Sequence, residues 1–305
     1  MRASWLRAGV VAEHLGDQAA GLRRIFGPEA LRAITFVSGS KGVGKTSAVA
    51  NIAAAMARLG REVLVLDENL ASNVASTFGV QAKHDLFNVI NRDRRLSDVL
   101  VNVAPGVRVL PAARAVKKLG KLLPNQQEAL LEAITGMPHP ADVILVDASM
   151  DHPLGFSPLG LAARETVVVA SANGAAITDA YALIKKVALG YSRRHFRILI
   201  NRAKSAADAD AIQSNLAELA RQRGVAAVAY AGHVPEDDLM RHASRLSQPV
   251  VAAHPDAGAA VALRAIAREM LDWPTETADS AGLEGFVQQL LHFSRRIDPV
   301  TIHAG

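Results

Sequence analysis

The chain contains no cysteine, which excludes a disulfide framework and any thiolate metal site and agrees with a reducing compartment. Long apolar runs are missing as well. Those at residues 143–146 and 166–170 have the length of strands, whereas a spanning helix needs roughly 20 apolar residues. Arg2 and Arg7 open the chain without an uninterrupted apolar block before Glu13, which argues against a signal peptide. A dominant charge is also lacking. The 34 basic and 29 acidic residues leave a formal +5, an excess that tolerates nucleic acid or anionic lipid and requires neither. A hydrophobic half and a charged fraction of 21% are ordinary for a globular chain with a sizeable core. The expectation is a soluble, cytoplasmic protein.

What is present is a rhythm. Short β-rich runs at residues 33–38, 62–66, 107–110, 143–146, 166–170, 196–200 and 228–231 alternate with helical stretches at 47–59, 125–134, 179–189, 208–224 and 257–271. Continuous apolar strands separated by helices predict an α/β fold: a doubly wound, mostly parallel sheet with helices on both faces. Its ligand belongs beyond the carboxyl ends of the strands. The chain divides into an N-terminal segment (1–32), a main domain (33–272), a polar linker (273–282) and a C-terminal helix with tail (283–305).

Gly39, Ser40, Lys41, Gly42, Val43, Gly44, Lys45 and Thr46 match G-x-x-x-x-G-K-[ST], between a predicted strand and a predicted helix that opens at Ser47. This is the P-loop pattern. Glycines let consecutive backbone N–H groups converge on phosphate oxygens, the helix N-terminus adds partial positive charge, and Lys45 reaches the β and γ phosphates. The Thr46 hydroxyl is a candidate Mg²⁺ ligand. ATP and Mg²⁺ are the expected cofactors. Asp67 and Asp147 end apolar strands, where P-loop proteins carry the carboxylates that hold Mg²⁺; the alternative for each is a helix or turn cap.

The loop resembles the deviant Walker A loop of the MinD/ParA ATPases, K-G-G-x-G-K-[ST]. That resemblance implies an ATP-sandwich dimer in which an early lysine reaches the partner's nucleotide. Here Ser40 occupies the lysine position and Lys41 replaces the first glycine, so Lys41 either substitutes for the signature lysine or is a solvated loop charge. Asp67-Glu68-Asn69 is similar to the family's D-x-D, whose second aspartate positions the attacking water; Asn69 keeps the shape without the charge. No glycine occurs in residues 148–152, where the family carries one. Lys45, Asp67, Asn69 and Lys41 are therefore the candidate catalytic set, with hydrolysis expected to be impaired.

Within the superfamily, residues 15–270 resemble the FlhG (FleN) ATPases that control flagellar number and placement. Residues 17–23, DQAAGLR, match their D-Q-A-x-x-L-R motif, and residues 177–185 match a characteristic helix start. Asn201 and Arg202 resemble the strand end that contacts adenine, and Pro235 lies in the loop that closes over the base. The resemblance implies that Asp17, Gln18, Leu22 and Arg23 bind the FlhF-type GTPase and stimulate it. It also implies flagellar C-ring partners, a flagellar transcription activator as a further partner, and an ATP-dependent homodimer. By residue chemistry alone, the favoured reading is Asp17 as a helix cap and Leu22 as a contact with the protein's own core.

Leu283, Phe286, Val287, Leu290, Leu291 and Ile297 fall near helical spacing. Such an amphipathic helix suits a weak membrane anchor, which would place the protein reversibly, and at a cell pole, on the inner face of the membrane. Docking on the domain or on a dimer partner is the competing expectation. Two further functions stand beside the flagellar one. A partition ATPase binding DNA is suggested by Lys185, Lys186, Arg193 and Arg194 but disfavoured by the DQA segment. A nucleotide-locked adaptor is suggested by Ser40 and Asn69.

Overall fold

The computed structural model describes residues 31–71, 73–137, 141–149, 156–274 and 283–296. Asp17, Gln18, Leu22 and Arg23 lie outside the described residues, as does Ile297. The first half runs β1 (Arg32–Val37), α1 (Lys45–Arg58), β2 (Val63–Asp67), α2 (Val74–Thr77), α3 (Leu86–Ile90), α4 (Leu96–Val99), β3 (Val101–Ala104), β4 (Val107–Pro111), α5 (Pro124–Thr135) and β5 (Val143–Asp147). The second half runs α6 (Pro158–Ala162), β6 (Glu165–Ser171), α7 (Gly174–Tyr191), β7 (His195–Ala203), α8 (Ala206–Gln222), β8 (Ala227–Pro235), α9 (Asp238–Arg245), α10 (Val250–Ala253), α11 (Gly258–Asp272) and α12 (Leu283–Arg296).

The eight strands form one sheet in the order β3-β4-β2-β5-β1-β6-β7-β8. All neighbours are parallel except β3 against β4. The central strands are apolar on both faces because both are covered. Leu64, Leu66, Ile144 and Val146 join one hydrophobic core, while Val63, Val65, Val143 and Leu145 join the other. Helix α1 is rich in buried alanine, whose small side chain lets it lie close to the sheet and to α11.

Every predicted strand is present, with its ends shifted by one residue or extended by up to four. The antiparallel edge strand β3 was not expected; it is short and only half-buried, so it lacks the apolar run that marks its neighbours. The polar linker begins later than its composition suggests. Trp273 is 5% exposed, its ring lies 3.9 Å from the Arg197 guanidinium, and its carbonyl accepts from Arg32 at 2.7 Å.

Of the two expectations for helix α12, the structure has the docked one. Its apolar side is not an open lipid-facing surface. Phe286, Val287 and Leu290 are buried, Leu283 and Leu291 pack partly against the same core, and the helix lies on α5, α6 and the turn Leu119–Lys121. An amphipathic face is satisfied by any apolar cover, and here the domain provides it.

Candidate nucleotide site

The sheet register assembles the site. Asp67 on β2 lies beside Asp147 on β5, and Asp147 in turn lies beside Phe36 on β1, just before the phosphate loop. Two carboxylates distant in sequence thus meet at one strand end. Lys45 is 7% exposed and forms a buried ion pair with Asp147. The Thr46 hydroxyl donates to Asp147 Oδ2 at 2.7 Å. Asp67 also caps: one carboxylate oxygen accepts the Val74 N–H at the start of α2, so the capping alternative and the site position are both realised in one residue.

The loop is tightly held from behind. A Cβ on Gly39 would lie 2.2 Å from the backbone of Asp179 in α7. Gly44 has φ +88, and a Cβ there would meet Asn201 Nδ2 at 2.2 Å. Asn201 is buried, and its amide donates to the Val43 carbonyl at 2.8 Å. The residue expected at the base therefore also props the phosphate loop. Arg202 is exposed with φ +56, and Pro235 pairs with Ala203 on the neighbouring strand. Lys41 and Gly42 form the exposed rim.

Asn69 spans the two carboxylates. Its amide nitrogen lies 3.0 Å from Asp67 Oδ1 and 2.9 Å from Asp147 Oδ2. Glu68 was missed by sequence reasoning. It is 3% exposed, accepts from Ser149 N–H at 2.9 Å, and accepts the hydroxyl hydrogen of Ser157. It thereby ties β2 to both ends of the segment after Asp147. Burial pushes its carboxyl up to about 7, offset in part by the Ser157 and Ser149 hydrogen bonds. Burial and the neighbouring Asp147 charge raise Asp67 to about 7 as well. Nothing in the sequence marked Glu68, since a glutamate at such a position is ordinarily exposed.

The residues fit a Mg·nucleotide. The Ser40 and Ser47 hydroxyls are buried with no hydrogen-bond partner among the described residues, Ser40 in the phosphate loop and Ser47 in the first turn of α1 that follows it. Thr46, Asp67 and Asp147 offer hard oxygen donors of the kind Mg²⁺ takes, one or two carboxylates with water and phosphate completing the shell.

Residues 34–250 match the CobQ/CobB/MinD/ParA nucleotide-binding domain. The chain belongs to that family. It is 33% identical over 264 residues to the antiactivator FleN of Pseudomonas aeruginosa, covering 86% of this chain and 94% of FleN. That likeness places it among the FleN/FlhG-like MinD/ParA ATPases. Over a shorter stretch it is 34% identical to the chromosome-partitioning ATPase Soj of Thermus thermophilus, covering 46% of this chain and 54% of Soj. Among solved structures, MinD of Pyrococcus horikoshii in complex with Mg-ADP superposes with TM-score 0.60 at 23% identity, covering 78% of this chain and 95% of that one. At that identity the likeness shows the fold.

Proposed function

We propose that this family member is an ATP-dependent regulator of flagellar number and placement. The carrying observation is the joined site, with phosphate loop, Thr46, Asp67 and Asp147 at the carboxyl ends of the central strands, on a chain resembling FleN over most of its length. Thr46, Asp67 and Asp147 hold Mg²⁺, Lys45 neutralises phosphate charge, and Gly39, Gly42, Gly44 and Ser47 lie against the phosphates. When bound, the ion withdraws negative charge from the phosphates. With the nucleotide bound, two copies would pair, and Lys41 on the exposed rim would face the partner's nucleotide. Segment 1–32 engages an FlhF-type GTPase; flagellar C-ring proteins and a flagellar transcription activator are further partners. A location at the inner face of the cell membrane, at a pole, requires α12 to leave the domain first.

The decisive test is the GTPase rate of FlhF with and without this protein and ATP. Stimulation that disappears with Gln18→Ala supports the reading; no binding and no change of rate, with ATP or without, ends it.

Asn69 favours a further property, slow hydrolysis. A carboxamide already engaged with both carboxylates has no charge with which to orient water. ATP turnover measured beside Asn69→Asp decides it: a silent wild type and an active variant support a long-lived switch, and equal rates remove Asn69 as the bottleneck. DNA partition loses part of its motivation. The Arg193 guanidinium donates to the Leu161 carbonyl at 2.9 Å and that of Arg194 to the Val225 carbonyl at 2.9 Å, so both are engaged as braces of the domain itself.

A further inference from the structure

The Asn69 amide nitrogen lies among acceptors. Besides its contacts with the two carboxylates at 3.0 and 2.9 Å, the same nitrogen lies 3.0 Å from the Asp147 carbonyl oxygen. The Asn69 backbone N–H adds a bond to Asp67 Oδ1 at 2.9 Å. Each neighbour is an acceptor, and a carboxamide is the short neutral side chain that brings two hydrogens to such a place. A carboxylate at this position would bring a third set of acceptors and a third negative charge. The amide thus does a cation's work, lying between two carboxylates that would otherwise repel each other across the β2–β5 seam.

A divalent ion shared by Asp67 and Asp147 needs the same oxygens. We propose that Asn69 competes with Mg²⁺ for the two carboxylates, so that the ion engages both only by displacing the amide. The inference rests on the nucleotide-site reading above. Asn69 is then a positioning residue with a regulatory effect: it raises the Mg²⁺ concentration at which the site fills, whatever the rate of the chemical step. Lys45 and Thr46, which also bond Asp147, are common to the wild type and every variant, so the comparison isolates residue 69.

The test uses the full chain and two readouts that need no turnover. One is the thermal midpoint titrated with MgCl₂ alone; the other is the affinity for fluorescent ADP as Mg²⁺ is raised. Asn69→Ala removes the competitor and adds no charge. It should reach half of the Mg²⁺ effect at about tenfold lower concentration, equivalent to about 1.4 kcal/mol. Asn69→Asp should need still less, because a third carboxylate joins the site. An unchanged or higher Mg²⁺ requirement in Asn69→Ala overturns the proposal. If that variant loses its native circular dichroism, Asn69→Ser, neutral, shorter and with a single donor hydrogen, decides in its place: a lower requirement supports competition and an unchanged one overturns it. Failure of the nucleotide-site reading looks different. Labelled ADP would then bind no chain at any Mg²⁺ concentration, while the MgCl₂-only midpoints would still compare the variants.

Discussion

The Glu68 carboxyl is enclosed on every side, and its proton balance sets a measurable trend. Folding lifts it from an ordinary value of 4.5 to about 7 through burial. The folded chain therefore holds the proton more tightly than the unfolded chain. Stability is greatest at the acid side and declines as pH rises from about 4.5 to about 7, where the folded state finally ionises. Asp67, raised for similar reasons, slopes the same way. Glu68→Gln keeps an acceptor for Ser149 and removes the ionisation. Urea denaturation should show the variant about 2 kcal/mol more stable than the wild type at pH 7.5 and nearly equal to it at pH 5; equal losses at both pH values would show that the charge is not the cost. At the loop, Gly39→Ala drives a methyl into the Asp179 backbone 2.2 Å away. It should cost more than about 2 kcal/mol by the same denaturation assay and weaken nucleotide binding, whereas Gly42→Ala, with open space around its Cβ position but φ +76, pays only the backbone strain of about 1 kcal/mol.

Helix α12 is the element whose two sequence readings only the structure could separate. Its periodicity was legible, and its cover was not. Hydrophobic spacing states that one side avoids water, but lipid, a second copy and the parent domain all meet that demand. Leu290→Ala should destabilise the domain by about 2–4 kcal/mol, as for a fully buried leucine, read by chemical denaturation. Co-sedimentation with anionic vesicles should be weak for the intact chain with the helix docked; strong binding together with an unprotected Leu290 region in hydrogen exchange would contradict the docked arrangement. The short helices α2, α3, α4, α6 and α10 have four or five residues each, too few for a helical period to register. Polar side chains start three of them: Asn73 for α2, Asp85 for α3 and Ser157 for α6 accept backbone N–H groups at the first turn. These caps were readable in principle, but a cap without a following apolar period looks like any turn.

For the whole molecule, the coupling of nucleotide to assembly is the property to measure. Light scattering should show a monomer without nucleotide and a dimer with Mg·ATP. Lys41→Ala, on the exposed rim, should leave monomer stability within about 0.5 kcal/mol and abolish the ATP-dependent shift; a dimer that survives the substitution would assign Lys41 to solvent. The architecture is suited to such a readout. The carboxyl ends of β2, β5 and β1 converge on the phosphate loop, and Glu68 next to that point is hydrogen-bonded to Ser149 and Ser157.

The sequence by itself determined the phosphate loop, the alternation of strands and helices, and the two strand-end aspartates. Each depends on residues a few positions apart, and local backbone chemistry writes such patterns directly into the chain. Tertiary structure alone decided that Asp67 and Asp147 lie side by side, because strand order, not spacing, makes β2 the neighbour of β5. It decided that Asn69 bridges them and that Glu68 is buried beneath them, since a polar side chain carries no mark of what will surround it. It also decided that α12 covers the domain, because hydrophobicity is non-directional and names no partner.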